Sequence, residues 1–92
     1  MTTLINDNNI HDLVTLYCTN RKNELPEEIR NMPIGNWDVL QVTNMEQLFN
    51  GHNEFNETLN GWNVSNVTNM RFMFVECELF NQPLNNWNVS NV

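Results

Sequence analysis

Residues 62–86 read WNVSNVTNMRFMFVECELFNQPLNN, and residues 37–61 before them read WDVLQVTNMEQLFNGHNEFNETLNG. Laid on one another, eleven of the twenty-five positions are identical: the Trp, two Val, Thr, Asn, Met, two Phe, Asn, Leu and Asn. A third opening, WNVSNV, starts at Trp87. A strict period of this length marks a repeat architecture, in which each unit buries its apolar face only against its neighbours. One unit alone cannot bury enough apolar surface to offset the entropy of ordering its backbone, so the units must stack.

Three phrases within each unit carry structural expectations. Ile34-x-x-Trp37-x-Val39 is echoed by Leu59-x-x-Trp62-x-Val64 and Leu84-x-x-Trp87-x-Val89. It resembles the L-x-x-L-x-L strand phrase of leucine-rich repeats, with Trp and Val inward and the intervening residues outward. Thr43-Asn44-Met45-Glu46 has capping-box form and predicts a helix start, with Met45, Leu48 and Phe49 buried and Gly51 ending it. Thr68 keeps the cap, Arg71 replaces the Glu, and Met70, Met73 and Phe74 repeat the buried face. Phe-Asn-x-x-Leu-Asn then returns the chain to the next strand. Asn44/Asn69, Asn56/Asn81 and Asn60/Asn85 recur in register, so their amides are expected to bond along the stack.

The first thirty residues lie outside the period. Ile10, Leu13, Val14 and Tyr17 follow i, i+3, i+4, i+7 spacing and predict a helix over about 9–19. Asp7, Asn8 or Asn9 would cap it. Pro26 suits the first turn of a second short helix, with Glu27 and Glu28 near its positive end. Residues 1–30 therefore read as an N-terminal helical cap and 31–92 as the repeat region. The fold class expected is α/β: a short leucine-rich-repeat-like solenoid with parallel strands, short helices and that cap.

The phrase W-[DN]-V-S-N-V-T-N-M-x-x-M-F…F-N-Q-P-L-x-x-W is similar to the 25–26-residue BspA-type repeats of the leucine-rich-repeat superfamily. The likeness covers residues 31–92, and residues 62–74 and 80–92 fit it almost letter for letter; Leu40 and Gln41 depart where Ser and Asn are usual. Members occur in bacterial surface proteins, in mycoplasmas and listeriae, and in giant DNA viruses. A helical cap with no export signal looks most like the giant-virus members. The resemblance implies protein binding or a structural role, and no catalytic residues.

Composition narrows the partners. The chain has 92 residues, a formal net charge of −7 and four basic residues, with a pI near 4.4. Phosphate-backbone recognition needs Lys and Arg to neutralise phosphates, so no nucleic-acid partner is expected. No apolar run approaches the ~18 residues of a membrane span. Cys18 and Cys77 fit a reducing compartment better than a disulfide framework. About a fifth of the residues are Asn, but regular Trp, Val, Met and Phe spacing argues for a folded repeat over a prion-like segment.

Neither His11 nor His52 belongs to a metal-spaced cluster. His52 and Cys77 share one repeat position, yet two ligands fall short of a zinc site. No phosphate loop, nucleophile elbow or paired acid and base appears, so no catalytic, cofactor or metal residues are expected. The sequons at Asn56, Asn63, Asn66 and Asn88 arise from the repeat phrase itself.

The expected function is a non-catalytic interaction or structural module. It binds a protein through the outward columns Asp38–Asn63–Asn88 and Leu40–Ser65–Ser90, and works inside a cell, in host cytoplasm or a virion. The alternatives are a cell-surface adhesin, or an assembly subunit that self-associates through an uncapped strand edge at 87–92.

Overall fold

The computed structural model describes residues 4–92; the first three residues of the expected cap lie outside them. Helix α1 spans Ile10–Cys18 and buries Ile10, Leu13, Val14 and Tyr17. Asn20 ends it in the left-handed region, with φ +62°, and the Arg21 N–H donates to the Leu16 carbonyl at 3.1 Å. That is a Schellman closure with Asn at its left-handed position. Asn9 occupies the N-cap position without a side-chain cap bond; its Oδ1 instead accepts from the Asn6 N–H at 2.9 Å. Helix α2, Glu27–Arg30, follows Pro26 and buries Ile29. Single 3-10 turns at Lys22–Glu24 and Ile34–Asn36 link these pieces to the repeats.

From Trp37 onward the chain winds as two full coils, 37–61 and 62–86, and the opening of a third. Trp37, Val39, Val42, Met45, Leu48, Phe49, Phe55 and Leu59 of the first are all buried, as is Ile34 just before it. Trp62, Val64, Val67 and Met73 of the second join them in one core with α1 and α2. Just before the first coil, Gly35 lies against its return segment, where a Cβ would collide with the Thr58 carbonyl oxygen.

Tight turns shape each coil. Trp37, Trp62 and Trp87 each donate a backbone N–H to the residue three before (Ile34, Leu59, Leu84), and Val42, Val67 and Val92 do the same to Val39, Val64 and Val89. Leu48 donates to Met45, Asn50 to Gln47 and His52 to Phe49; Met73, Val75 and Cys77 repeat the pattern on Met70, Phe72 and Phe74. In four of these turns the third residue is left-handed: Gln47 (φ +59°), Gly51 (+83°), Phe72 (+57°) and Glu76 (+59°). Between the turns, the N–H groups of Met45, Gln47, Phe49 and Gly51 donate to the carbonyls of Asn69, Arg71, Met73 and Val75 at 2.8–2.9 Å. Each coil is therefore bonded to the next at alternate residues while it turns.

This geometry overturns the expected leucine-rich-repeat-like α/β solenoid. Among the described residues no strand or sheet forms, and a single parallel bridge, Asn44 with Asn69, stands in place of the expected ladder. No helix follows Asn36 either. The physical cause is local. Turns at Trp and Val fold the W-x-V-x-x-V phrase too tightly for an extended strand. Left-handed residues at Gln47 and Gly51 break the right-handed run a helix needs. The Met45, Leu48, Phe49 spacing suits successive turns as well as it suits a helix. Gly51 is a turn residue, and Thr43 and Glu46 form no capping box. Residues 87–92 are likewise turned, so the strand edge expected to drive self-association does not exist.

Aromatic rings run up the stack. Phe49 lies over Phe74 with centroids 5.6 Å apart, and Phe55 over Phe80 at 5.8 Å, the planes within 6°. Within each coil the pairs Phe49–Phe55 and Phe74–Phe80 stack at 4.5 Å. The Trp62 indole N–H donates to the Ile34 carbonyl at 2.7 Å, and that of Trp87 to the Leu59 carbonyl at 2.8 Å. Trp37 has no earlier coil to bond, and its buried indole N–H has no partner among the described residues. Losing a buried hydrogen bond costs more than losing an unpaired donor. Trp62→Phe should therefore destabilise by about 2 kcal/mol more than Trp37→Phe, read as urea midpoints; equal costs would show that the indole bond contributes nothing.

The left-handed positions give a second expectation. A Cβ at Gly51 meets nothing within 4 Å, so Gly51→Ala isolates the backbone term and should cost about 1 kcal/mol. Glu76→Gly, at the matching turn of the next coil, should stabilise by about the same amount. Thermal melts of the two variants moving in the same direction would contradict this.

Candidate interaction face

The outward residues of the Trp phrase form two columns. The side-chain oxygens of Asp38, Asn63 and Asn88 each accept the backbone N–H two residues on, from Leu40, Ser65 and Ser90, at 3.1 Å. These Asx turns fix the first column and the turn beneath it together. The Ser65 hydroxyl also donates to Asn63 Oδ1 at 2.7 Å. Asp38, Leu40, Asn63, Asn88 and Ser90 are exposed and Ser65 half-buried. The six expected contact residues are thus carried by turns where extended strands were expected.

Between the second coil and the third opening runs a groove of about 530 Å³, lined by Asn60, Asn63, Ser65, Asn86 and Asn88 among others. The Asn66 amide donates to the Leu40 carbonyl at 2.9 Å and the Asn91 amide to the Ser65 carbonyl at 2.7 Å. Asn60 Oδ1 accepts from the Asn86 N–H at 3.0 Å, and Asn56 Oδ1 from the Asn81 N–H at 2.9 Å. Asparagine does bond along the stack, but chiefly to the neighbouring backbone and not amide to amide.

A second cleft of about 490 Å³ lies where the end of α1 meets residues 51–57. Tyr17 lines it, its hydroxyl donating to Glu57 Oε1 at 2.6 Å and accepting from the Ile34 N–H at 3.3 Å. Burial, and then the bond to Glu57, push the Tyr17 pKa up to about 12. Burial, and then the Glu57 charge, push the Cys18 thiol up to about 12 as well. Burial raises the Cys77 thiol too, and its sulfur lies 2.8 Å from the Phe49 carbonyl oxygen. Neither thiol is poised as a nucleophile near neutral pH. Among the described residues no three His, Cys, Asp or Glu side chains converge as metal ligands, and no helix is long and apolar enough to cross a membrane.

The residues that sequence reasoning missed belong to the cap. In the stack, Thr68 donates its N–H and hydroxyl to the Thr43 carbonyl at 2.8 and 3.3 Å. One coil earlier, Thr43 donates the same two groups to the Asp7 carboxylate, at 2.7 and 2.5 Å, and Asn44 adds its N–H at 3.2 Å. His11 Nε2 meets the Glu46 carbonyl oxygen at 2.8 Å, where Arg71, one coil on, accepts from Gln47. Asp7 and His11 thus stand in for a coil that would precede Trp37. No signal in residues 1–30 marks this pairing, because it spans 35 residues and uses side chains that a helix start also favours.

A family model described as Mycoplasma protein of unknown function, DUF285, matches residues 9–92. The chain belongs to the DUF285 family. That match takes in α1 and both coils, so helical cap and repeats together fall within the family's pattern. No curated protein and no solved structure matches the chain.

Slight burial raises the Asp7 pKa, but the bonds from Thr43 and Asn44 and the nearby His11 outweigh it, and the net shift is downward. A carboxylate with a depressed folded pKa contributes stability above its unfolded pKa of ~3.9 and loses it as pH falls through the folded value. Asp7→Asn should therefore cost about 1 kcal/mol at pH 7, discounted for exposure, and the gap from the wild type should narrow as the pH falls below the ordinary carboxylate range. A gap constant from pH 7 to pH 2 would show that the charge plays no part.

Proposed function

We propose that this DUF285 chain is a non-catalytic repeat module that binds a protein partner on the face built by Asp38, Leu40, Asn63, Ser65, Asn88 and Ser90. The observation that carries the reading is the Asx turn repeated at three successive Trp phrases. It holds chemically similar side chains at a regular rise with little conformational entropy left to lose, the condition for binding an extended segment residue by residue. The amide groups of Asn63 and Asn88 give that face donors beside the acidic group of Asp38, and the groove along Asn60 and Asn86 gives it depth.

A protein suits this surface better than a nucleic acid, because the chain carries −7 net charge and phosphate neutralisation needs the opposite sign. The two free cysteines support action in a reducing compartment, in host cytoplasm or a virion. The likeness of residues 62–74 and 80–92 to BspA-type repeats supports the same interaction role.

Leu40→Arg combined with Ser90→Arg keeps every Asx acceptor and should change stability by under about 0.5 kcal/mol. The pair should weaken capture of the wild-type partner at least tenfold, scored by quantitative pull-down. Gln47→Arg, on a turn away from the columns, should leave capture unchanged. The opposite outcome, loss with Gln47→Arg and none with the pair, would move the contact off this face.

A further inference from the structure

Two turns carry the same dipeptide, and no other asparagine in the chain is followed by glycine. Phe49-Asn50-Gly51-His52 and Leu59-Asn60-Gly61-Trp62 are each closed by the N–H of the fourth residue on the carbonyl of the first, at 3.0 Å. Asparagine is the thermolabile residue of such a pair. A following glycine has no Cβ to keep its backbone nitrogen from the asparagine side-chain carbon.

The middle N–H separates the two turns. That of Gly51 donates to the Val75 carbonyl at 2.9 Å, while that of Gly61 bonds nothing among the described residues. An N–H bonded between coils reaches solvent base only when the coils open locally. Gly61 is exposed and needs no such opening. The side chains differ in the opposite sense: Asn50 is exposed and Asn60 half-buried. Exposure of the asparagine alone would single out Asn50, and backbone bonding singles out Asn60.

We propose that Asn60 is a site of spontaneous covalent modification, closing to a cyclic imide with Gly61 and reopening as aspartate or isoaspartate. A solvent base takes the Gly61 amide proton, and the nitrogen attacks Asn60 Cγ. As that bond forms, the carbonyl π pair moves onto Oδ1. The Asn86 N–H donates to Oδ1 at 3.0 Å, within the distance at which a donor stabilises a developing oxyanion. The Cγ–Nδ2 bond then breaks, and Nδ2 takes protons from water and leaves as ammonia. Water opens the imide at Cγ to give aspartate, or at the Asn60 backbone carbonyl to give isoaspartate. The net change consumes water and releases ammonia, and nothing is oxidised or reduced.

The two products act differently on the stack. Aspartate keeps an acceptor for the Asn86 N–H and adds a negative charge to the groove that Asn60 lines with Asn63, Asn86 and Asn88. Isoaspartate adds a methylene to the backbone inside the turn that carries Trp62, and so displaces the indole from the Ile34 carbonyl it reaches at 2.7 Å. The modification is independent of the interaction role proposed above.

The test incubates the full chain, folded, at neutral pH and follows each asparagine by peptide mass mapping, with electron-transfer fragmentation separating aspartate from isoaspartate. Product at Asn60 should form about tenfold faster than at Asn50, the factor that one net hydrogen bond contributes to a barrier. In concentrated urea the two rates should converge, because the bond on Gly51 is gone. Gly61→Ala should slow the reaction at Asn60 by a similar factor with the circular dichroism unchanged, since the new Cβ would meet only the Gly35 carbonyl oxygen, at 3.3 Å. Equal rates in the folded chain, or a faster Asn50, overturn the proposal. So does an Asn60 that reacts in urea and not in the folded chain, because the turn then protects it. Rates that stay apart in urea overturn it too, since local sequence and not the fold then sets the difference.

Discussion

Stacking of one coil on the next, by backbone bonds from alternate residues, is the contact on which the rest of the structure depends. Met45, Gln47, Phe49 and Gly51 turn and bond outward at once, giving each second N–H to the following coil and each intervening one to a turn. The arrangement satisfies buried backbone groups without a sheet or a helix, which are the usual means. It also sets the rise between coils, and that rise brings phenylalanine onto phenylalanine and an indole onto a carbonyl. The apolar core is a consequence of this register. A one-residue slip would separate the rings and leave the indole N–H unpaired.

The demand for a neighbour explains why the cap is built as it is. The first coil meets α1 where every later coil meets backbone. Three side chains answer for what is missing: the Asp7 carboxylate for a carbonyl, His11 Nε2 for an amide N–H, and the Tyr17 ring for packing against Trp37, edge-on at 5.6 Å. The substitution is incomplete, since the Trp37 indole finds no acceptor among the described residues. Chemically, a cap is a set of side chains imitating a repeat, and its quality is measured by the donors it leaves over.

Much of this was legible in the sequence and part of it was not. The period, the inward residues and α1 follow from apolar spacing alone, because burial depends on which residues face in. Backbone conformation does not follow from it. Trp37, Val39 and Val42 face inward in a strand or in linked turns alike, and Met45, Leu48 and Phe49 do so in a helix or in turns. The left-handed positions decide between them, and the sequence marks only one of four with glycine. Gln47, Phe72 and Glu76 carry no such mark. The Asx role of Asp38, Asn63 and Asn88 was hidden for a related reason: a polar residue at a regular outward position looks like surface until its oxygen is seen to turn back on the chain.

That turning back bears on the candidate face. A side chain whose oxygen is engaged with its own backbone contributes to a partner only through what remains. For Asn63 and Asn88 that is an amide donor, and for Asp38 the second carboxylate oxygen. The column therefore mixes one acceptor with two donors in fixed order, and a ligand must match that order along its length. Leu40, Ser65 and Ser90 beside it grade from apolar to small and polar in the same direction. A partner segment reading both columns needs a donor and an apolar group at its Asp38 end and acceptors toward Asn88. The pattern has a polarity, so a partner bound on the proposed face would take its direction from the same turns that hold the coils.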